Sequence, residues 1–455
     1  MQRYIGAAQW HVGCCKETRL ALLTVFLLTV YVIFATAAMA DPSPQAAGGP
    51  LPWQDTGSGD WGGARADLAD RGITFTTQYD FHLQYNAKGG IETGWGWESR
   101  LVPELNVQLE PLVGLKGTEF QVSGAWNWGQ DINDKVGAII EPATIYRETA
   151  VRLYELYLGQ YFIDEQVHLK AGRLGLGPFE YGYSTLMYDY MSAGYTSSAG
   201  ALFINQPVTT FSFPIATWGA RVVIAPKDED YTVRMGVYNG WPRDLARDVA
   251  NGVDFSLNLD KSTFLISEFA YQLNQNPEDQ GRPGNYKIGV MYDTGPFERF
   301  DRPGKEKDGN FGFYVIGDQM LYRETVSVKP PEHLANWKVG FKQSHPTDQG
   351  LYAWANFVVN PDEEINFAPY WVSGGLTYKG LFPGRDADRL GIGFYHAFLS
   401  SDSGLDDETQ IEAFYRYQFK PWLGIGPDIQ YFVNPGGLTD NDNSLVLGLN
   451  LNAFF

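Results

Sequence analysis

The chain ends LVLGLNLNAFF, and that ending constrains the fold more than any other stretch. Leu445, Leu447, Leu449, Leu451, Ala453 and Phe455 share one face at a period of two. Val446, Gly448, Asn450, Asn452 and Phe454 share the other. That period marks a strand. One face is apolar, the other small or polar, and the last residue is aromatic. This suits a membrane barrel that closes on itself, because lipid offers no partner to an open backbone edge. An ordinary amphipathic edge strand of a soluble sheet is the bland alternative.

The same alternation recurs at intervals of roughly 20 residues along the chain. Phe75, Thr77, Tyr79, Phe81 and Leu83 alternate with Thr76, Gln78, Asp80 and His82. Tyr231, Val233, Met235 and Val237 alternate with Thr232, Arg234 and Gly236. Ile411, Ala413, Tyr415, Tyr417 and Phe419 alternate with Glu412, Phe414, Arg416 and Gln418. Recurring charges on the second face predict that it is wet. About 18 such segments can be read, and an even number is expected of a bacterial outer-membrane barrel.

The amino-terminus suits an exported protein. Arg3, Lys16 and Arg19 precede an apolar run from Leu20 to Ala38, and Ala38-Met39-Ala40 offers a cleavage point before Asp41. Residues 1–40 read as a signal peptide; an uncleaved anchor is the alternative, because the run is long. Residues 41–58 read as a Pro/Gly-rich segment, and residues 59–455 as one barrel domain. Both cysteines, Cys14 and Cys15, lie in the leader, so the mature chain has no thiolate for catalysis or metal binding.

Removing the leader takes away three basic residues and one acidic one, leaving 31 Lys and Arg against 52 Asp and Glu, a net charge of −21. Such a chain repels nucleic acid, and the charge argues against a dedicated anion channel lined by rings of Lys or Arg. No stretch after Ala40 approaches the 18 to 20 apolar residues of a spanning helix. Aromatic residues at 15% and 51 glycines fit a porin-like barrel, and also a large soluble sandwich.

One helix is predicted, in GDWGGARADLADRGI (Gly59 to Ile73), with Asp60 as cap and Gly72 as stop. This segment resembles a motif of the OprB family of carbohydrate-selective porins. So, in the same order along the chain, do RPGNYKIGVMYDTG (Arg282 to Gly295), DQMLYRE (Asp318 to Glu324), LTYKGLFPGRDADRLGIGF (Leu376 to Phe394) and PWLGIGPDIQYFVNPGG (Pro421 to Gly437). The resemblance implies a transmembrane antiparallel β-barrel of 16 strands in the outer membrane of a Gram-negative bacterium. It implies passage of small neutral sugars, monosaccharides such as glucose, by facilitated diffusion. It also implies that barrel-insertion machinery reads the terminal strand, with Phe455 as the signal. The segment count leaves 18 strands open.

No enzyme signature stands out. His82, His168, His333, His345 and His396 make no metal-ligand spacing, and no GxSxG or Walker pattern occurs. No cofactor, metal or catalytic residue is expected. A general diffusion porin is the nearest rival reading; a barrel enzyme or structural barrel is the more distant one.

The feature expected to carry selectivity is the interval from Leu174 to Thr217, 44 residues without Lys or Arg. It holds Tyr181, Tyr183, Tyr188, Tyr190 and Tyr195 among several phenylalanines. A loop of that length is often functional. Folded into the lumen it would narrow the pore, and Tyr181 and Tyr183 would offer ring faces to a sugar. A strand pair with lipid-facing aromatics is the alternative. On the neighbouring strands, Tyr154, Leu156 and Leu158 are expected outward, which places Glu155 and Tyr157 inward. Lys170 is expected inward, and Arg173 at the junction with the loop. Glu155 with Lys170 or Arg173, and Glu412 with Arg416, would supply acceptors and donors for a polyol.

Overall fold

The computed structural model describes residues 56–455, except 146–148, 177–179, 196–199, 207–212, 228, 242–250, 254, 275–278, 325–348 and 439. The leader, most of the Pro/Gly-rich segment, and His333 and His345 fall outside the described residues. Alternating sequence becomes alternating structure throughout. The strands are β1 (Ile73–Gly90), β2 (Gly94–Gln108), β3 (Thr118–Gln130), β4 (Ala150–Phe162), β5 (Val167–Leu174), β6 (Thr217–Ile224), β7 (Tyr231–Asn239) and β8 (Thr263–Leu273). They continue with β9 (Gly284–Glu298), β10 (Glu306–Arg323), β11 (Gly350–Val359), β12 (Tyr370–Lys379), β13 (Arg389–Phe398), β14 (Glu408–Lys420), β15 (Leu423–Val433) and β16 (Asp442–Phe454). Each strand pairs antiparallel with its neighbour in sequence, and β1 pairs with β16 to close a barrel of sixteen. The two extra strands of the sequence count have no counterpart among the described residues. The described parts of 175–216 form a 3-10 turn and a short helical turn instead of a strand pair.

The outer face is apolar, as the terminal strand predicts. Ile288, Val290, Ile392, Phe394, Leu447 and Leu449 are all exposed. Residues 56–58 and the carboxy-terminus lie at one rim. The Phe455 backbone exchanges two hydrogen bonds with Thr77, at 2.8 and 3.0 Å, and Gly57 N donates to Phe454 O at 2.8 Å. Arg65 ties this end together by donating to Thr56 Oγ1 at 2.7 Å and Phe75 O at 2.8 Å. Residues 56–58 are therefore already attached to the barrel.

The predicted helix is present but starts late. Left-handed Gly62 and Gly63 break the first turn, so the helix runs Ala64–Asp70. The helix's cap position falls to Gly63 instead of the expected Asp60, whose carboxylate nevertheless accepts from Ala66 N at 3.1 Å. Gly72 ends it at a φ of +79°, where a Cβ would lie 2.8 Å from Gln108 O.

The largest departure is inside. The upper inner wall of β7 to β16 is not wet. Trp354, Trp371, Tyr395, Phe414, Tyr314 and Phe264 point inward and are buried with Leu186, Met187, Tyr190 and Tyr195 of the β5–β6 loop. The apolar core of this barrel sits in its lumen, built by two loops that fold back into it. Ile132, Val136 and Ile140 come from the β3–β4 loop, residues 131–149, and the rest of the loop side from residues 175–216.

Candidate functional site

A loop inside a barrel must find partners for its backbone, since buried amides left bare are costly. Acidic side chains of the wall supply them. Glu268 on β8 accepts from Gly182 N at 2.9 Å, Tyr314 Oη at 2.7 Å and Arg234 at 3.0 Å. Asp318 on β10 accepts from Ser184 Oγ at 2.7 Å. Lys287 on β9 donates to Tyr183 O at 2.8 Å. Glu412 on β14 accepts from Met191 N at 2.6 Å, Ser192 N at 3.2 Å and Tyr195 Oη at 3.0 Å. The loop is thereby stitched to the wall from β7 round to β14. The β3–β4 loop is held likewise, with Ile139 N donating to Glu408 at 2.8 Å and Gln430 donating to Pro142 O at 2.9 Å.

Packing completes the attachment. Tyr190 lies 4.5 Å from Tyr195 and 4.7 Å from Phe414, ring to ring and edge-on. It can do so because Gly375 and Gly393 face it; a Cβ at those positions would lie 2.5 and 2.8 Å from its hydroxyl.

This arrangement decides the fate of the expected site residues. Tyr181 and Tyr183 are fully buried between loop and wall. Tyr181 meets Tyr238 edge-on at 6.4 Å, and Lys287 Nζ sits 3.8 Å from the Tyr183 ring centre. Neither ring offers a face to the channel; both anchor the loop. Glu412 and Arg416 do both point inward, but to different partners. Glu412 binds the loop backbone, while Arg416 pairs with Asp428 at 3.1 Å.

On the other side of the lumen the expected group forms a relay. Lys170 Nζ donates to Tyr157 Oη at 2.8 Å, and Tyr157 donates to Gln121 Oε1 at 2.6 Å. Gln121 Nε2 donates in turn to Glu155 at 3.4 Å, and Glu155 also accepts from Gly175 N at 3.2 Å. Arg173 is buried at the end of β5 and donates to Leu153 O at 3.3 Å. Tyr154 points inward, contrary to expectation. The register shifts between Val122 and Gly124, so Tyr154 and Glu155 together oppose Ser123 in a β-bulge, and both face the lumen.

Among the loop's described tyrosines, Tyr188 is the one left partly open. Burial pushes its hydroxyl well above the ordinary range, and the cation of Arg100 on β2 pulls the other way. Arg100 donates twice to Asp80, at 2.9 and 2.6 Å, and lies 4.5 Å over the ring of Phe213. Phe213 in turn meets Tyr154 at 4.6 Å. The next loop residue, Asp189, pairs with Arg389 of β13 at 2.8 Å. Burial raises the Asp189 carboxyl, against the pull of Arg389, Arg416 and Lys379. The Tyr188-Asp189 tip is thus paired with Arg389 and feels the charge of Arg100 on a separate part of the wall. Sequence reading missed Arg100, Asp80, Asp189 and Arg389. Arg100 and Asp80 lie on alternating segments, but only strand pairing shows that they meet.

Comparisons with known proteins agree with this geometry. The family model described as carbohydrate-selective porin, OprB family, matches residues 97–455. Porin B of Pseudomonas aeruginosa is 27% identical over 441 residues, covering 87% of this chain and 90% of that protein. The high-pH structure of Pseudomonas putida OprB superimposes with a TM-score of 0.74 at 22% identity, over 90% of this chain and all of that one. The low-pH structure of the same protein gives 0.54 at 18% identity, with the same coverage. At these identities the structural likeness speaks for the fold.

Proposed function

This chain belongs to the OprB family of carbohydrate-selective porins, and from that premise we propose that its barrel passes small neutral sugars, monosaccharides such as glucose, across the outer membrane of a Gram-negative cell. The movement is passive, down a gradient, with no cofactor and no chemical step. The observation that carries this reading is the inward loop whose tip pairs Asp189 with Arg389 and sets Tyr188 in the electrostatic field of Arg100. A neutral sugar gains nothing from net potential, so preference must come from ring contact and directed hydrogen bonds. Tyr188 offers a partly open ring to the apolar C–H face of a pyranose. Arg100 and Arg389 are donors only, and Glu155 accepts. Charge-assisted bonds contribute roughly 1.5 to 3 kcal/mol each when well formed. A channel must also release its cargo. Binding in the millimolar range, about 4 kcal/mol, satisfies both demands.

Support for insertion by dedicated machinery lies in the terminal strand. Phe455 closes the seam against Thr77, and its ring stays partly exposed beside Trp422, 6.4 Å away. We assign it the role of assembly signal.

The test is liposome swelling with a size-graded set of sugars and amino acids of matched size. Sugars are expected to enter faster at equal size, and Arg100→Gln to narrow that advantage. Equal rates for sugars and amino acids at every size would make this a general diffusion pore.

A further inference from the structure

We propose that the same channel also passes monocarboxylate sugar acids, aldonates and uronates, along a row of cations on the β12–β14 wall. The inference rests on the carbohydrate-porin reading and extends its substrate class. A net charge of −21 argues against it only if the acids are what a solute meets. In the two ion pairs of Arg100 and Arg389 they are not. In the Arg100–Asp80 pair the arginine side chain is 13% exposed and the aspartate 1%. In the Arg389–Asp189 pair the values are 20% and 8%. Each carboxylate is tucked behind its cation, so the surface presented is guanidinium.

Strand register then places further cations beside Arg389. Lys379 on β12 pairs with Arg389 on β13, and Arg389 pairs with Arg416 on β14. All three share the inward face of neighbouring strands. The Nε atoms of Arg389 and Arg416 are buried without an acceptor among the described residues. This row lies at the end of the barrel that also holds residues 56–58 and Phe455, next to the loop tip.

The chemistry favours a sugar acid over a bare anion. A guanidinium fork matches a carboxylate and cannot accept a hydrogen bond. Across the lumen, Glu155 accepts from hydroxyls, which a simple inorganic anion lacks. The buried aspartates leave each of the arginines half neutralised, so a single negative charge is attracted weakly enough to leave.

The experiment uses the full mature protein in planar bilayers and liposomes, with D-gluconate, D-glucose and the cationic D-glucosamine. Gluconate is expected to permeate at least as fast as glucosamine, and to carry current in a potassium gluconate gradient. In Arg389→Gln and in Lys379→Gln the gluconate-to-glucose permeability ratio is expected to fall roughly threefold, the scale of one partly screened charge interaction. Heat-modifiable migration in gels confirms that each variant folds. Exclusion of gluconate while glucose passes ahead of amino acids overturns the proposal and leaves the sugar-porin reading standing. So does an unchanged ratio in both variants. Exclusion of both solutes overturns the two readings together.

Discussion

At the scale of single residues, the acids of this lumen divide into those that hold the loop and those that set the charge of the passage. Glu412 belongs to the first kind, gripping two backbone amides and a tyrosine hydroxyl. Glu412→Ala should weaken docking of the loop by about 2–4 kcal/mol, the value of one or two charge-assisted bonds. Single-channel conductance is then expected to rise and grow noisier while the barrel still assembles; unchanged conductance would mean the loop is held elsewhere. Asp189 belongs to the second kind. Because burial raises its carboxyl, it takes up a proton above the usual Asp range of about 4 as pH falls. Its charged form destabilises the native state at every pH above the folded value, and that cost falls as pH drops through the folded value and is gone below the unfolded one. Protonation leaves Arg389 unneutralised, so anion preference in a potassium chloride gradient should increase as pH drops through that window. Asp189→Asn should show the increased preference already at neutral pH and lose that step. Phe455→Asp is expected to reduce the amount of assembled barrel several-fold, read by heat-modifiable gel migration, while barrels that do assemble melt normally. Normal accumulation would place the assembly signal elsewhere.

At the scale of elements, legibility followed the solvent. Lipid favours apolar residues on the outward face of a strand, so Leu445 to Phe455 announce their strand and their facing directly. The inner face obeys no such single rule. Trp354 and Tyr395 point inward against the loop, yet in sequence they look like any other aromatic in an alternating run. The bulge that turns Tyr154 and Glu155 to the same side adds one residue to β4, and no composition signal marks it. The basic row at Lys379, Arg389 and Arg416 exists only through strand pairing across 38 positions of sequence, from 379 to 416 inclusive. The loop was recognisable by its length and its tyrosines; which tyrosine stays open was not, because that depends on what each one meets on the wall. Removing the tip, residues 186–190, should widen the passage. Solutes larger than a disaccharide are expected to enter liposomes, and an unchanged size limit would show that another segment sets the bore.

At the scale of the whole molecule, the sheet and the lumen core are held by different forces. The sheet is a closed ladder of backbone hydrogen bonds in lipid, where an open edge is prohibitive. The lumen core is ordinary protein interior, stabilised by burial of Trp371, Tyr395, Leu186 and Met187, and accessible to denaturant from water. Urea is therefore expected to raise channel conductance before circular dichroism loses its strand signal; simultaneous transitions would mean the two parts unfold as one. The meeting of residues 56–58 with the carboxy-terminus at one rim has a consequence of another kind. With Gly57 bonded to Phe454, and Phe455 paired with Thr77, the segment from residue 56 to residue 455 is a ring in all but one covalent bond. Where it is cut is then a matter of notation for the finished barrel and of consequence only for its assembly. A permuted gene that joins residue 455 to residue 56 and opens in the 399–407 loop should encode the same channel with its termini at the opposite rim, and should insert only as well as its new last strand is recognised.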